Sequence, residues 1–433
     1  MPNRKIAAKF AAPLALAMMI AACGSSDAPA EQQTAQAAET DDNDADSMRS
    51  RDGEAQAADT TPDSEERPIM QAQVILDRLG FSPGVIDGKI GMSTNNALEA
   101  FQKANDLSKT GEYDDATREA LLGSVAEAAG SANGEQPPSE REGMVAPPMP
   151  PSGRPIPQPV PATRVVTIPE EFAIGRFEEL PDDPAKQAEM SQLGYESLEE
   201  KLAERFHTTV ETLRMLNPNG APAGSAPASG QQDGGAEQGA GDGSSSETES
   251  AEASSFRAGQ QIRVPNIGAD YIDASADIDS EWRSTLRNLG IGSDQPQAAR
   301  IVVDESESTL IAYDENDRIV GAFTVTSGSS RDPLPIGEWD IYGIARNPPF
   351  SYDPSLFWDV PDDQESQQLP PGPNGPVGVV WIDLSKEHYG IHGTSAPETI
   401  GRAQSHGCVR LTNWDAARLA QMVDQSTEVI FQK

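Results

Sequence analysis

Ile391-His392-Gly393-Thr394 and Ser405-His406-Gly407-Cys408-Val409-Arg410-Leu411 bring one thiol and two imidazoles into a single stretch of the chain. A thiol whose ordinary pKa is about 8.5 is mostly protonated at neutral pH, and an imidazole that takes its proton turns it into a strong nucleophile. The two runs therefore read as a Cys-His acyl-transfer site. Their setting is β-structure. From Ala299 onward short apolar runs recur between turns: Ile301-Val302-Val303, Thr309 to Tyr313, Ile319 to Val325, Gly337 to Tyr342 and Val379 to Leu384. Strands at this spacing predict a mostly antiparallel sandwich or barrel. One helix, capped near Asn413 and carrying Ala416, Leu419, Ala420 and Val423 on one face, follows the Cys408 loop.

Outside that region the composition limits what can fold. Of 433 residues, 36% are hydrophobic and 5% aromatic, so part of the chain is expected to be linker. The formal net charge of -37 argues against nucleic acid or an anionic surface as a partner held by charge. Arg4, Lys5 and Lys9 precede the apolar run Ala11 to Ala22, which is too short to span a bilayer comfortably, so residues 1–22 read as an export signal. Residues 23–67 hold almost no large apolar side chain and read as a disordered acidic tether.

Residues 68–123 read as a three-helix module. Ala72, Ile75, Leu76 and Leu79 share one helical face, Ala97, Leu98, Phe101 and Ala104 another, and Asp114 can cap a third helix. The turn Asp87 to Thr94 is echoed by Leu107 to Thr117. Residues 124–163, rich in proline, are expected to hold the two halves of the chain apart. In 164–267 a strand (Val165 to Ile168), two helical runs ending at Asn217-Pro218, a Gly/Ser-rich insertion over 219–255 and a strand ending at Pro265 predict an α+β segment. Residues 268–298 read as a further linker. The expected architecture is multidomain: a small three-helix N-terminal module, an α+β middle segment, and a C-terminal β-sandwich or barrel with one or two helices.

Several of these stretches resemble known families. Ile20-Ala21-Ala22-Cys23-Gly24 resembles a bacterial lipoprotein lipobox, which implies cleavage before Cys23, lipidation of its thiol, and a periplasmic protein anchored to a membrane, by analogy the outer one. Cys408 is then left unpaired, as a catalytic thiolate requires. The echoed turns of 68–123 resemble peptidoglycan-binding domains, and 164–267 resembles a LysM module interrupted by its insertion. Residues 299–433 resemble the L,D-transpeptidase catalytic domain through Thr326-Ser327-Gly328, Pro335 to Trp339, Pro376-Val377-Gly378, the His392 run, and Ser405 to Leu411 with Asn413 beyond. Two departures are Pro333-Leu334-Pro335-Ile336-Gly337, in place of a threonine-rich run, and a long stretch from Asp359 to Gly375.

The catalytic-domain resemblance implies Cys408 as nucleophile and His392 as proton acceptor and donor. It also implies that the Gly393 carbonyl orients His392, and that the amides of His406, Gly407 and Cys408 form an oxyanion hole, with Ser405 and His406 shaping the loop. Arg410 could bind a substrate carboxylate or brace the loop. The implied reaction is acyl transfer from a peptidoglycan tetrapeptide stem to an amine, with no cofactor. A second stem gives a 3-3 crosslink and a wall-anchored protein lysine gives attachment. Water makes the enzyme a carboxypeptidase or amidase. A non-catalytic, lipid-anchored wall tether is the alternative of a different class. His388 and His392 are four apart, which raises zinc as an alternative. That spacing serves a metal on a helix, whereas Tyr389-Gly390-Ile391 reads as strand and turn, so no metal is assigned.

Overall fold

The computed structural model describes residues 63–132, 160–225, 255–268, 272–356, 360, 365–402, 405 and 407–433. The export signal, Cys23, the tether up to residue 62, residues 133–159, the insertion over 226–254 and His406 lie outside the described residues. Helices α1 (Pro68–Arg78), α2 (Met92–Ala104) and α3 (Asp115–Ala132) build the N-terminal module. Pro68 opens α1 where a missing N–H costs nothing, and Asp114 caps α3 by accepting from the Thr117 amide at 2.8 Å. The echoed turns have a structural cause. Gln73 in α1 accepts from the Gly88 amide and donates to the Lys89 carbonyl, and Gln102 in α2 accepts from the Gly111 amide and donates to the Glu112 carbonyl. Both glutamines are fully buried, so each loop is wrapped around a side-chain amide that must be satisfied.

The middle module is a β-α-α-β unit. Strand β1 (Thr163–Thr167) pairs antiparallel with β2 (Gln261–Pro265), and α4 (Leu198–Arg205) and α5 (Val210–Leu216) lie between them in sequence. Ser197 and Thr209 cap the two helices. Asn217 joins the halves: its amide donates to the Arg263 carbonyl at 2.8 Å and its oxygen accepts from the Arg263 amide.

The remaining elements form two facing five-stranded sheets. Their strands are β3 (Arg300–Asp304), β4 (Thr309–Tyr313), β5 (Ile319–Thr324), β6 (Thr326–Ser327), β7 (Gly337–Trp339), β8 (Ile341–Arg346), β11 (Val380–Leu384), β12 (Gly390–His392), β13 (Val409–Arg410) and β14 (Glu428–Gln432). One sheet has the order β5-β4-β3-β14-β7 and the other β6-β13-β12-β11-β8. The short strands β9 (Phe350–Tyr352) and β10 (Gln367–Leu369) pair apart from both. The sheets do not close into a barrel, and each is mixed, because β14 runs parallel to β3 and β12 parallel to β13. Between the sheets Phe323, Phe431, Ile382 and Ile391 are at most 1% exposed. Helix α7 (Asn413–Met422) buries Trp414 and Leu419 in the same core. Each such side chain stabilises the fold by about 1.5–3 kcal/mol.

Four expectations about linkers are corrected. Residues 272–298 are not linker: α6 (Ser280–Leu289) is capped by Asp279, stops at Gly290 in the left-handed region, and sinks Trp282, Leu286 and Leu289 into the sandwich core. The tether ends earlier than residue 67, since Asp63 accepts from Thr163 Oγ1 at 2.8 Å, and the insertion starts later than residue 219, since the Ala223 carbonyl accepts from Arg263 Nε. Nor are the N-terminal module and the sandwich held apart. Ser82 donates its amide to the Ala322 carbonyl and Gly80 accepts from the Ala322 amide, so the loop after α1 joins β5. Asp77 of α1 lies buried between His207 of the middle module and Arg418 of α7, at 3.2 and 3.3 Å. Apolar surface at the module ends, Phe81 and Phe206 included, needed a partner, and the neighbouring modules supply it.

Candidate active site

Strand register brings the two motifs together. In the central sheet His392 sits opposite Trp381 of β11 on one side and opposite Arg410 of β13 on the other. Ile391 and Val409, both fully buried, form the preceding pair, so Cys408 emerges where β13 begins, beside Gly390. Its Sγ lies 3.7 Å from the His388 carbonyl. Cys408 is a free cysteine.

His392 is buried, and its Nδ1 donates to the Gly393 carbonyl at 2.7 Å. A carbonyl can only accept, so Nδ1 carries the proton and Nε2 presents a lone pair. Burial, reinforced by the Arg410 charge, lowers the imidazole pKa to about 4, against the opposing effect of the Gly393 bond. Burial likewise pushes the Cys408 thiol above its usual range, while a hydrogen bond from the Gly390 backbone and the Arg410 charge pull it down. Both shifts favour the uncharged forms, a neutral thiol at Cys408 and a neutral imidazole at His392.

The Cys408 loop is fastened by Ser405. Its Oγ accepts from the Gly328 amide and donates to the Cys408 carbonyl, both at 2.7 Å, and its own amide donates to the Gly328 carbonyl. Gly407 has φ +103°, and a Cβ there would stand 2.5 Å from Tyr389 Cε1, so only glycine fits. The Gly407 amide donates to Ser405 Oγ at 3.3 Å. Arg410 is partly exposed, and its charge reaches both His392 and Cys408. His388 turns outward on a left-handed residue, its side chain 64% exposed beside Glu387. Among the described residues no group of three or more His, Cys, Asp or Glu could hold a metal ion.

Three further residues shape the site. Trp381 stacks on the His392 ring, and Gly390 makes room for it, because a Cβ there would meet the indole at 2.5 Å. Tyr389 closes over Gly407, its phenol raised by burial and by Cys408. Asn413 is not the helix cap, a part taken by Thr412, which accepts from the Asp415 amide at 3.2 Å. Asn413 Oδ1 accepts from the Val379 amide at 3.2 Å and fills the space where a Cβ on Gly378 or Gly393 would go. Trp381 and Asn413 stand in runs that sequence pattern marks as strand and helix start, but pattern carries no sign of what their side chains touch.

Comparison with known proteins falls on the same stretches. Residues 298–431 match the L,D-transpeptidase catalytic domain, and residues 66–121 match a domain described as "Putative peptidoglycan binding domain". The protein named "Putative L,D-transpeptidase YkuD" from Bacillus licheniformis is 36% identical over 130 residues, 30% of this chain and 63% of that protein. Its namesake from Bacillus subtilis is 34% identical over 114 residues, 26% of this chain and 54% of that one. The match thus spans less than two thirds of either relative. Among solved structures, L,D-transpeptidase 3 from Mycobacterium tuberculosis, in complex with a faropenem-derived adduct, is 18% identical with a TM-score of 0.27, covering 41% of this chain and 76% of that one. The two matches fall on separate parts of this chain, the first on the β-sandwich and the second on the three-helix module.

Proposed function

We infer that this protein is a cysteine L,D-transpeptidase acting on peptidoglycan tetrapeptide stems. The observation that carries the reading is the buried, neutral His392, whose Nδ1–H is committed to the Gly393 carbonyl, one strand away from the Cys408 loop. Cys408 Sγ attacks the carbonyl of the diaminopimelate to D-alanine bond as His392 Nε2 takes the thiol proton. The tetrahedral intermediate collapses, the C–N bond breaks, and the imidazolium returns the proton to the departing D-alanine amine. An acceptor amine then attacks the thioester, loses its proton to His392, and releases the thiolate, which takes that proton back. A second stem's diaminopimelate gives a 3-3 crosslink, and a lysine of a wall-anchored protein gives attachment. Water gives hydrolysis. The Cys408 amide is the oxyanion donor this scheme favours, with Gly407 joining once its bond to Ser405 opens.

The wall polymer is the partner assigned to residues 68–123, and the β-α-α-β unit is a second candidate glycan contact. Lipidation at Cys23, with export to the periplasm and an outer-membrane anchor, completes the proposal and rests on the lipobox resemblance alone. The deciding experiment incubates purified disaccharide-tetrapeptide with wild type and Cys408→Ala, offering a second stem, a lysine peptide or water as acceptor, and resolves products by mass spectrometry. Release of D-alanine with a new amide, from wild type only, is the expected outcome. Identical products from both proteins would leave the non-catalytic wall tether as the better reading.

A further inference from the structure

Glu204 stands on α4 of the middle module, 209 residues before its hydrogen-bond partner Asn413. Its Oε1 accepts from Asn413 Nδ2 at 2.7 Å in a buried contact, and the same amide donates to the Pro373 carbonyl at 3.0 Å. Those two acceptors fix which way the asparagine faces: its nitrogen points toward Glu204 and Pro373, and its oxygen toward Val379 and Gly393. Asn413 packs directly on the Gly393 backbone, whose carbonyl holds His392 Nδ1 at 2.7 Å. The chain of contacts from Glu204 to the imidazole has no slack link.

Glu204 is also held from behind. Tyr195 lies beside the same carboxylate, its phenol kept protonated chiefly by burial and then by the Glu204 charge. Asn374, next to Pro373, donates to Glu200 of the same helix at 2.6 Å. Burial raises the Glu204 pKa to about 7 against the hydrogen bonds from Tyr195 and Asn413. A buried carboxylate is a costly way to fill a contact that a leucine would fill by packing alone, so its oxygen has a task that packing does not perform.

We propose that Glu204 is a positioning residue supplied by the middle module to the catalytic centre: it sets Asn413, Asn413 sets Gly393, and the Gly393 carbonyl sets the ring orientation and tautomer of His392. The inference rests on the reading of His392 as general base. It gives the middle module a part in turnover that does not depend on its binding a glycan.

The test uses the full chain with Glu204→Leu, Glu204→Asp and Glu204→Gln. Leucine keeps the volume without an acceptor, aspartate withdraws the oxygen by one methylene, and glutamine can still accept from Asn413. With a disaccharide-tetrapeptide donor, Glu204→Leu is expected to lower kcat by about tenfold or more at unchanged KM, as a displaced base does. Glu204→Gln should restore kcat to near wild type. In an Asn413→Ala background Glu204→Leu should cost nothing further, because the path is already cut. Should the leucine variant not fold, Glu204→Asp reads the same kcat loss. An unchanged kcat in the folded variant, or full additivity with Asn413→Ala, overturns the proposal. Alkylation of Cys408 by iodoacetamide needs the base but no peptidoglycan, so it separates the two readings. If wild type does not turn over, the transpeptidase assignment fails. If alkylation is as fast in Glu204→Leu as in wild type, the role of Glu204 fails.

Discussion

Trp381 and His392 are register partners on adjacent antiparallel strands, and their rings stack with centroids 5.6 Å apart and planes 28° from parallel. The indole covers one face of the imidazole and so adds to the burial that lowers its pKa to about 4. The acid limb of kcat/KM for wild type should therefore fall near pH 4, well below the ordinary histidine value of about 6.5. Trp381→Ala admits water and should carry that limb upward. A limb that stays at pH 4 in the variant would mean that the indole does not set the desolvation.

Arg410 acts on both reacting groups through charge. Arg410→Gln removes a cation that disfavours imidazolium and favours thiolate, so the pKa of His392 should rise and that of Cys408 should rise further. Alkylation rates measured against pH read both limbs. If Arg410 also holds a substrate carboxylate, the variant raises KM for the stem peptide as well, while a residue that only braces the loop leaves KM where it was.

Glu204 gives the protein a stability term with an unusual sign. Its folded pKa of about 7 exceeds the ordinary carboxylate value of 4.5. Between pH 4.5 and 7 the folded state therefore binds a proton that the unfolded state has lost, and stability falls as pH rises through that window. His392 contributes oppositely between about 4 and 6.5, where its folded form is the less protonated. Comparing Glu204→Gln with wild type cancels the histidine contribution. The Tm of the variant should overtake that of wild type from pH 5 to pH 8, by an amount on the order of a few kcal/mol in free energy. Parallel Tm curves would show that the carboxylate titrates normally.

Gly407→Ala should remove activity without unfolding the protein. The left-handed φ of +103° and the approach of Tyr389 both forbid a side chain there, so the loop must shift the nucleophile to admit one. A displacement near 1 Å costs about a hundredfold in rate. Tyr389→Ala in the same chain relieves only the clash and not the backbone strain, so the double variant should stay slow. Near-wild-type kcat in the double variant would assign the whole effect to Tyr389.

Trp282→Ala should destabilise the sandwich by about 3–5 kcal/mol in chemical denaturation, because a fully buried indole leaves a cavity. A residue in a linker would cost almost nothing. This helix was legible in the sequence: Asp279, the spacing of Trp282, Leu286 and Leu289, and Gly290 form a capped amphipathic pattern. The strand runs between Ile301 and Leu384 and the cap at Asp114 were legible for the same reason, since each is set by residues a few positions apart. Glu204, Asn413 and Asp77 were not. The pairs that join modules, Glu204 with Asn413 and Asp77 with His207, are more than a hundred residues apart, and no local pattern encodes which module will supply a buried acceptor.

The parallel pairing of β3 with β14 has a bearing on how the protein is made. Arg300 finds its partner Glu428 only after almost the whole sandwich sequence has emerged, and β7 joins the same sheet only through β14. Until then the sheet is split, with an apolar edge exposed on each fragment. Folding of this domain is thus a late, non-local event and should be slow compared with synthesis of the preceding helices. A nascent chain that stays open until that moment offers unpaired strand edges to other chains, so the late closure is also the step most exposed to aggregation.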